Sequence, residues 1–105
     1  MDIHQVWSDK NNTWHILLSG EIDIYNAPDL KNNLSKLIEE KKGDILIDCA
    51  DLKYIDSTGL GVLISALRRV KEYNGTIIIK NLKPYIYKIF TITGLDKVFT
   101  IEVQE

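Results

Sequence analysis

Three short runs of β-forming residues, Thr13 to Ser19 (TWHILLS), Asp44 to Ala50 (DILIDCA) and Thr76 to Lys80 (TIIIK), alternate along the chain with segments whose apolar residues recur every three or four positions. The runs have the length and the β-branched, aromatic character of strands, and the wider spacing lines one face of a helix. A chain that alternates the two builds α/β layers joined by right-handed crossovers. Leu30, Leu34, Leu37 and Ile38 form one helical stripe, with Asn26 as N-cap, Pro28 and Asp29 in the first turn and Gly43 as the stop. A second helix covers Thr58 to Tyr73 and ends at Asn74-Gly75. Pro84 opens a third, short helix through Ile86, Ile89, Phe90 and Thr93, which Gly94 terminates.

Gln5 to Ser8 reads as an edge strand before the polar turn Asp9 to Asn12, and Val98 to Val103 as a last strand. Gly20 to Asn26 is a loop holding two carboxylates, and Asp51 to Asp56 a tight turn. The predicted order is β-β-α-β-α-β-α-β. The nearly continuous apolar centre of DILIDCA predicts a strand covered on both faces. With 105 residues and no repeat, linker or low-complexity stretch, residues 1–105 are expected to form one domain.

Charge and cysteine content narrow the function classes. A formal net charge of −2 argues against direct nucleic-acid binding. The single cysteine, Cys49, excludes a disulfide framework and a thiolate zinc site, and its strand makes it a small core residue. No apolar run approaches membrane-span length, and Met1 to Gln5 lacks the features of a signal peptide, so a soluble cytoplasmic protein without membrane association is expected. The charge is unevenly spread. Residues 1–56 carry six Lys against eleven Asp and Glu, whereas residues 57–105 carry seven Lys and Arg against four Asp and Glu.

One segment carries chemistry: Tyr54-Ile55-Asp56-Ser57-Thr58-Gly59-Leu60-Gly61, at a strand-to-helix junction. Ser57 falls at the N-cap or in the first turn of the second helix, where backbone N–H groups lack partners and the helix dipole is positive. Such an end suits an anion. Gly59 and Gly61 carry no side chains and would let another molecule approach the backbone. Taken alone, the tetrapeptide Asp56-Ser57-Thr58-Gly59 points to a helix cap, which is far commoner than a reactive serine.

Three sharper readings compete. A serine nucleophile is disfavoured, because Ile55 stands where a nucleophile elbow needs its first glycine and the only imidazoles are His4, near a terminus, and His15, mid-strand. A dinucleotide site fails because Ile64 stands in place of the third glycine, and no phosphate-binding loop motif appears, so no cofactor or metal is expected. A phosphoacceptor fits, since a serine at a helix N-terminus beside glycines is open to a kinase and the dipole offsets about 0.3–1 kcal/mol of the cost of a phosphate.

The segment Ile45–Gly61 (ILIDCADLKYIDSTGLG) resembles the signature of the STAS domain of anti-sigma factor antagonists. The likeness covers nearly the whole chain. Leu18 to Asp23 followed by Asn26 to Leu30 is similar to the family's first strand-to-helix passage, and Asn81-Leu82 with Gly94 to Phe99 to its C-terminal part. The resemblance implies a single STAS domain, a mixed sheet of four to five strands with helices packed against it. It also implies a partner switch and no enzymatic activity. The unphosphorylated antagonist binds an anti-sigma factor that is itself an ATP-dependent serine kinase, and a sigma factor is released. The kinase phosphorylates the serine that maps onto Ser57, and a metal-dependent serine phosphatase reverses the step.

On that reading Asp23, Asp56, Thr58 and Gly59 form the phosphosite environment, with Thr58 a lesser alternative acceptor and Tyr25 a weaker candidate beside Asp23. Asp23 also has a plainer reading, as a cap of its own turn. In the second helix Leu60, Leu63, Ile64, Leu67 and Val70 point inward, leaving Gly61, Val62, Ser65, Arg68 and Arg69 outward as the partner-binding face. Free of its partner, the chain is expected to be a monomer. A non-switching STAS subunit of a sensory or lipid-transport assembly is the alternative, and the retained acceptor serine favours the switch.

Overall fold

The structure, a computed structural model, describes residues 1–102. The three runs are strands, and the elements follow as β1 (Asp2–Ser8), β2 (Thr13–Ile22), α1 (Ala27–Glu40), β3 (Asp44–Asp48), β4 (Leu52–Ile55), α2 (Ser57–Lys71), β5 (Ile77–Lys80), α3 (Pro84–Ile92) and β6 (Thr100–Glu102). The order is the predicted one with a short strand added, β4, where the sequence reads as a turn. The final strand begins two residues later than expected, and Val103 lies outside the described residues.

All six strands join one mixed sheet, with the path β1-β2-β3-β5-β6 and β4 paired to β2. β1 runs antiparallel to β2, from Asp2 opposite Ser19 to Ser8 opposite Thr13. The other pairings are parallel, as helical crossovers require. β4 takes up the pairing with β2 beyond the point where β3 leaves it, matching Gly20 to Leu52 and Ile22 to Ile55. The jog between β3 and β4 is closed by Leu52 N donating to Cys49 O (3.1 Å) and Gly20 N donating to Asp51 O (2.9 Å). This jog carries the chain past the end of β3 and sets Ile55, and with it Ser57, at the C-terminal rim of the parallel strands.

Burial follows period two. Trp14, Ile16, Leu18 and Ile22 of β2, Ile45 and Ile47 of β3 and Ile77 and Ile79 of β5 are buried in one core with the stripes of α1 and α2. Their alternates are not: His15 is exposed, and Leu17, Leu46 and Ile78 are half-buried. The apolar centre of β3 is therefore covered on one face, not two; Leu46 lies on the open side of the sheet. Cys49 is buried as expected, and burial, reinforced by the charge of Asp48, pushes its thiol up to about 12, so it stays protonated and inert at neutral pH.

The inward stripe of α2 is Gly59, Leu60, Leu63, Ala66, Leu67 and Val70. Ala66 replaces Ile64, which is only half-buried. The helix faces two neighbours, the sheet and α1, so its buried arc is turned toward α1. No helix among the described residues is long and apolar enough to cross a membrane.

Candidate functional site

Two strand-to-helix junctions meet at one corner of the sheet. Ile22 and Ile55 are in register on β2 and β4, both are buried, and each is followed by an aspartate. Asp56 N donates to Ile22 O (3.2 Å), stitching the second junction to the first. Asp23 and Asp56 thus leave the sheet side by side, and Ser57 follows directly.

At the second junction Asp56 is the N-cap of α2. Its Oδ1 accepts from the backbone N–H of Thr58 (3.0 Å) and of Gly59 (3.1 Å), and also from the Thr58 hydroxyl. Leu60 N donates to Asp56 O (3.0 Å), the first bond of the helix ladder. The expectation of unpaired N–H groups is thereby corrected: the chain's own carboxylate fills the positive helix end. The Thr58 hydroxyl bond, with the Gly59, Thr58 and Ile24 N–H groups behind it, holds the Asp56 carboxyl below its ordinary value of 3.8, against a smaller opposing effect of desolvation. Asp56 is ionised at neutral pH.

Ser57 is exposed, and its hydroxyl makes no hydrogen bond among the described residues. Thr58 is half-buried with its hydroxyl committed. Gly59 is buried and not a site of approach, because a Cβ there would lie 2.7 Å from both Ile22 Cγ2 and Ile55 Cγ1. Only a residue without a side chain lets α2 start this close to the two strand ends. Gly61 differs: a Cβ there would meet nothing within 4 Å, and its backbone is open.

Asp23 caps its own turn. Its Oδ1 accepts from Tyr25 N (2.9 Å) and Asn26 N (3.2 Å), while Asn26 Oδ1 accepts from Asp23 N (2.9 Å) and Asn26 Nδ2 donates to Glu21 O (2.8 Å). Asn26 stands at the N-cap of α1 without capping it through its side chain. The turn drives two large side chains outward, Ile24 at 64% and Tyr25 at 89% exposure. Ile24 is absent from the sequence reading. The signal was available, since an isoleucine inside a short polar loop has no stripe or strand face to join.

The predicted partner face divides. Gly61, Ser65 and Arg68 are exposed. Val62 and Arg69 are half-buried and, together with the exposed Ser65, line the groove between α2 and α1 beside Lys31, Leu34, Ser35 and Ile38. Arg69 Nη2 lies 3.5 Å from Glu39 Oε1, so its charge is already partnered within the chain.

Neither imidazole reaches the serine. His15 lies seven residues before Ile22 on β2, about 23 Å along the strand, and His4 is opposite Leu17, about 17 Å away. Among the described residues no group of three or more His, Cys, Asp or Glu is placed to hold a metal ion. Among the described residues the corner offers the unbonded Ser57 hydroxyl, an ionised neighbour and the exposed apolar side chains of Ile24 and Tyr25.

Residues 9–105 match the STAS domain family. The chain is 35% identical over 104 residues to the anti-sigma-B factor antagonist of Bacillus subtilis (strain 168), a match covering 99% of this chain and 94% of that protein. It is 35% identical over 88 residues to the anti-sigma-B factor antagonist of Listeria monocytogenes, covering 83% and 76% of the two chains. Among solved structures, the anti-sigma factor antagonist SpoIIAA in its unphosphorylated form superposes with a TM-score of 0.83 at 22% identity, covering 99% of this chain and 89% of that one. The phosphorylated form of SpoIIAA, from Bacillus, gives 0.77 at the same identity, covering 99% and 92%. These last two likenesses show a common fold. The chain belongs to the STAS domain family, and relatives that it matches over most of its length are anti-sigma-B factor antagonists.

Proposed function

We propose that this chain is an anti-sigma factor antagonist whose binding is switched at Ser57. The unphosphorylated protein binds an anti-sigma factor, itself an ATP-dependent serine kinase, and frees a sigma factor. Phosphorylation of Ser57 by that kinase ends the binding, and a serine phosphatase restores it. The protein acts as substrate and binding module, not as an enzyme, in the cytoplasm and as a single domain that is monomeric when free.

The observation that carries this reading is the exposed Ser57 hydroxyl beside an ionised Asp56 that already fills the helix end. A phosphate at Ser57 adds about −1.5 to −2 charges and three acceptor oxygens. The N–H donors of Thr58 and Gly59 that would receive it are taken, Asp56 sets a like charge directly beside it, and Asp23 leaves the neighbouring strand end. Like charge forced together at an interface costs several kcal/mol, which is roughly a hundredfold or more in affinity. Repulsion at the surface suffices, with no refolding of the antagonist. The contact surface comprises Ser57, Gly61, Ser65 and Arg68, extended by Ile24 and Tyr25.

The test is affinity capture from the native host with wild type, Ser57→Ala and Ser57→Asp as parallel baits, followed by titration calorimetry on the kinase so identified. Wild type and Ser57→Ala should bind alike, and Ser57→Asp should bind at least a hundredfold more weakly. Equal affinity of Ser57→Asp for the same partner overturns the switch.

A further inference from the structure

Two hydroxyls stand next to each other at the start of α2, and the structure treats them differently. Ser57 is exposed, and its hydroxyl has no partner among the described residues. The Thr58 hydroxyl donates to Asp56 Oδ1, and the same oxygen accepts the N–H groups of Thr58 and Gly59. We infer that Asp56 is a positioning residue that assigns phosphoryl transfer to Ser57 by withholding Thr58. This rests on the reading of Ser57 as phosphoacceptor.

In the transfer the acceptor oxygen forms a bond to the γ-phosphorus of ATP as the bond to the bridging oxygen breaks. ADP leaves, and the hydroxyl proton passes to a carboxylate base of the kinase. A competent hydroxyl must therefore present its oxygen in line with the nucleotide and its proton to the kinase. Ser57 can rotate to do both. Thr58 cannot hand its proton to the kinase while that proton is aimed at Asp56, and turning it away strips the cap of its hydroxyl donor.

An aspartate hydrogen-bonded to a hydroxyl could instead activate it as a base. Here the one oxygen serves three donors, and those bonds draw its carboxyl below the ordinary range. A carboxylate stabilised in this way is a poor proton acceptor. Asp56 holds Thr58 and does not activate it.

The experiment maps the phosphorylated residue by mass spectrometry after incubation with ATP and the kinase recovered by wild type. Wild type should carry phosphate on Ser57, with residue 58 below about a hundredth of the total. Asp56→Ala should raise the share on Thr58 at least tenfold, and Asp56→Asn, whose amide oxygen still accepts the three donors, should restore the wild-type distribution. Ser57→Ala should take no phosphate, whereas Asp56→Ala with Ser57→Ala should take it on Thr58. Asp56→Ala phosphorylated on Ser57 alone overturns the inference, as does Ser57→Ala phosphorylated on Thr58 with Asp56 intact. A wild-type chain that takes no phosphate overturns the parent reading and this one with it.

A measurement independent of the kinase follows the Asp56 carboxyl by carbon NMR. Thr58→Val should move its titration upward toward the ordinary aspartate value, because the bond that contributes most to its lowering is gone. An unmoved titration shows that Thr58 is not held, and the inference falls even if Ser57 proves to be the acceptor.

Discussion

The two strand-to-helix junctions of this corner begin alike and end differently. β2 and β4 both finish on a buried isoleucine, the two isoleucines are in register, and an aspartate follows each. At the first junction three residues separate Asp23 from Ala27, where α1 starts, and the Asp23 carboxylate is spent on closing that loop. At the second no residue intervenes, so the Asp56 carboxylate caps α2 directly. What each aspartate does follows the length of its junction, with Asn26 helping to close the longer one. The longer junction exposes a large apolar pair, Ile24 and Tyr25, and the tight one exposes a small hydroxyl. On the function proposed above, a partner would meet an apolar anchor and a chargeable switch side by side, each held by its own aspartate.

The largest expected effect comes from removing the tightness of the second junction. Gly59→Val places side-chain carbons against Ile22 and Ile55, where even a Cβ would be 2.7 Å from each. Overpacking of this kind costs about 1–3 kcal/mol, and urea unfolding should show a loss at the upper end of that range. Gly61→Ala, two residues on and with nothing within 4 Å of the added Cβ, should stabilise by about 0.5–1 kcal/mol through helix propensity. Equal responses at the two glycines would mean that α2 does not start against the strand ends.

Next come the aspartates themselves. Asp56→Ala removes the acceptor of two N–H groups and a hydroxyl, and loss of such a cap should lower Tm by about 5 °C in a domain of this size. Asp23→Ala removes the acceptor of two N–H groups in an exposed loop and should lower Tm by roughly half as much. Scanning calorimetry on both variants checks the ranking, and the reverse order would break the comparison.

The pH dependence reads the Asp56 cap directly. The Asp56 carboxyl is held below 3.8 in the folded chain. The folded state therefore favours its ionised form. The associated stability is present above the ordinary aspartate value and is lost as pH falls through the lower folded value. Wild type should lose Tm more steeply than Asp56→Asn on acidification below the ordinary aspartate value of 3.8. Parallel curves would show that the cap contributes nothing in its charged form.

Much of this arrangement is legible in the sequence, and the illegible parts share a cause. The strands TWHILLS and TIIIK, the α1 stripe and the start of α2 announce themselves because periodicity and capping are local. β4 does not, since Leu52 to Ile55 is four residues long, shows no alternation and becomes a strand only by pairing with β2 past the end of β3. Arg69 reads as a free outward charge until α1 brings Glu39 to it. Gly59 reads as an open approach until Ile22 and Ile55 are seen behind it. In each case the deciding neighbour lies at least four residues off, and usually on another element. The cap at Asp56 shows the converse limit. Its donors are only two and three residues away, yet the Asp56-Ser57-Thr58-Gly59 string shows neither which of Asp56 and Ser57 is the cap nor whether a side chain turns inward to fill the helix end.

The smallest expected effect on folding concerns the apolar pair, and it is the sharpest test of the division of labour. Ile24 and Tyr25 are exposed at 64% and 89%, so Ile24→Ser and Tyr25→Ser should change unfolding free energy by less than about 0.5 kcal/mol. The Asp23 turn uses the backbone N–H of Tyr25, which serine keeps. If the pair anchors the partner, each variant should still weaken binding about tenfold or more, as buried aromatic and aliphatic anchors do. The affinity lost should add to that of Ser57→Asp only in part, because residues sharing one contact region are coupled. Calorimetry on the two single variants and the combination with Ser57→Asp reads both quantities. Full affinity in both serine variants would leave Ser57 and the exposed face of α2 as the whole binding surface, and the longer junction would be a loop whose exposed pair serves no contact.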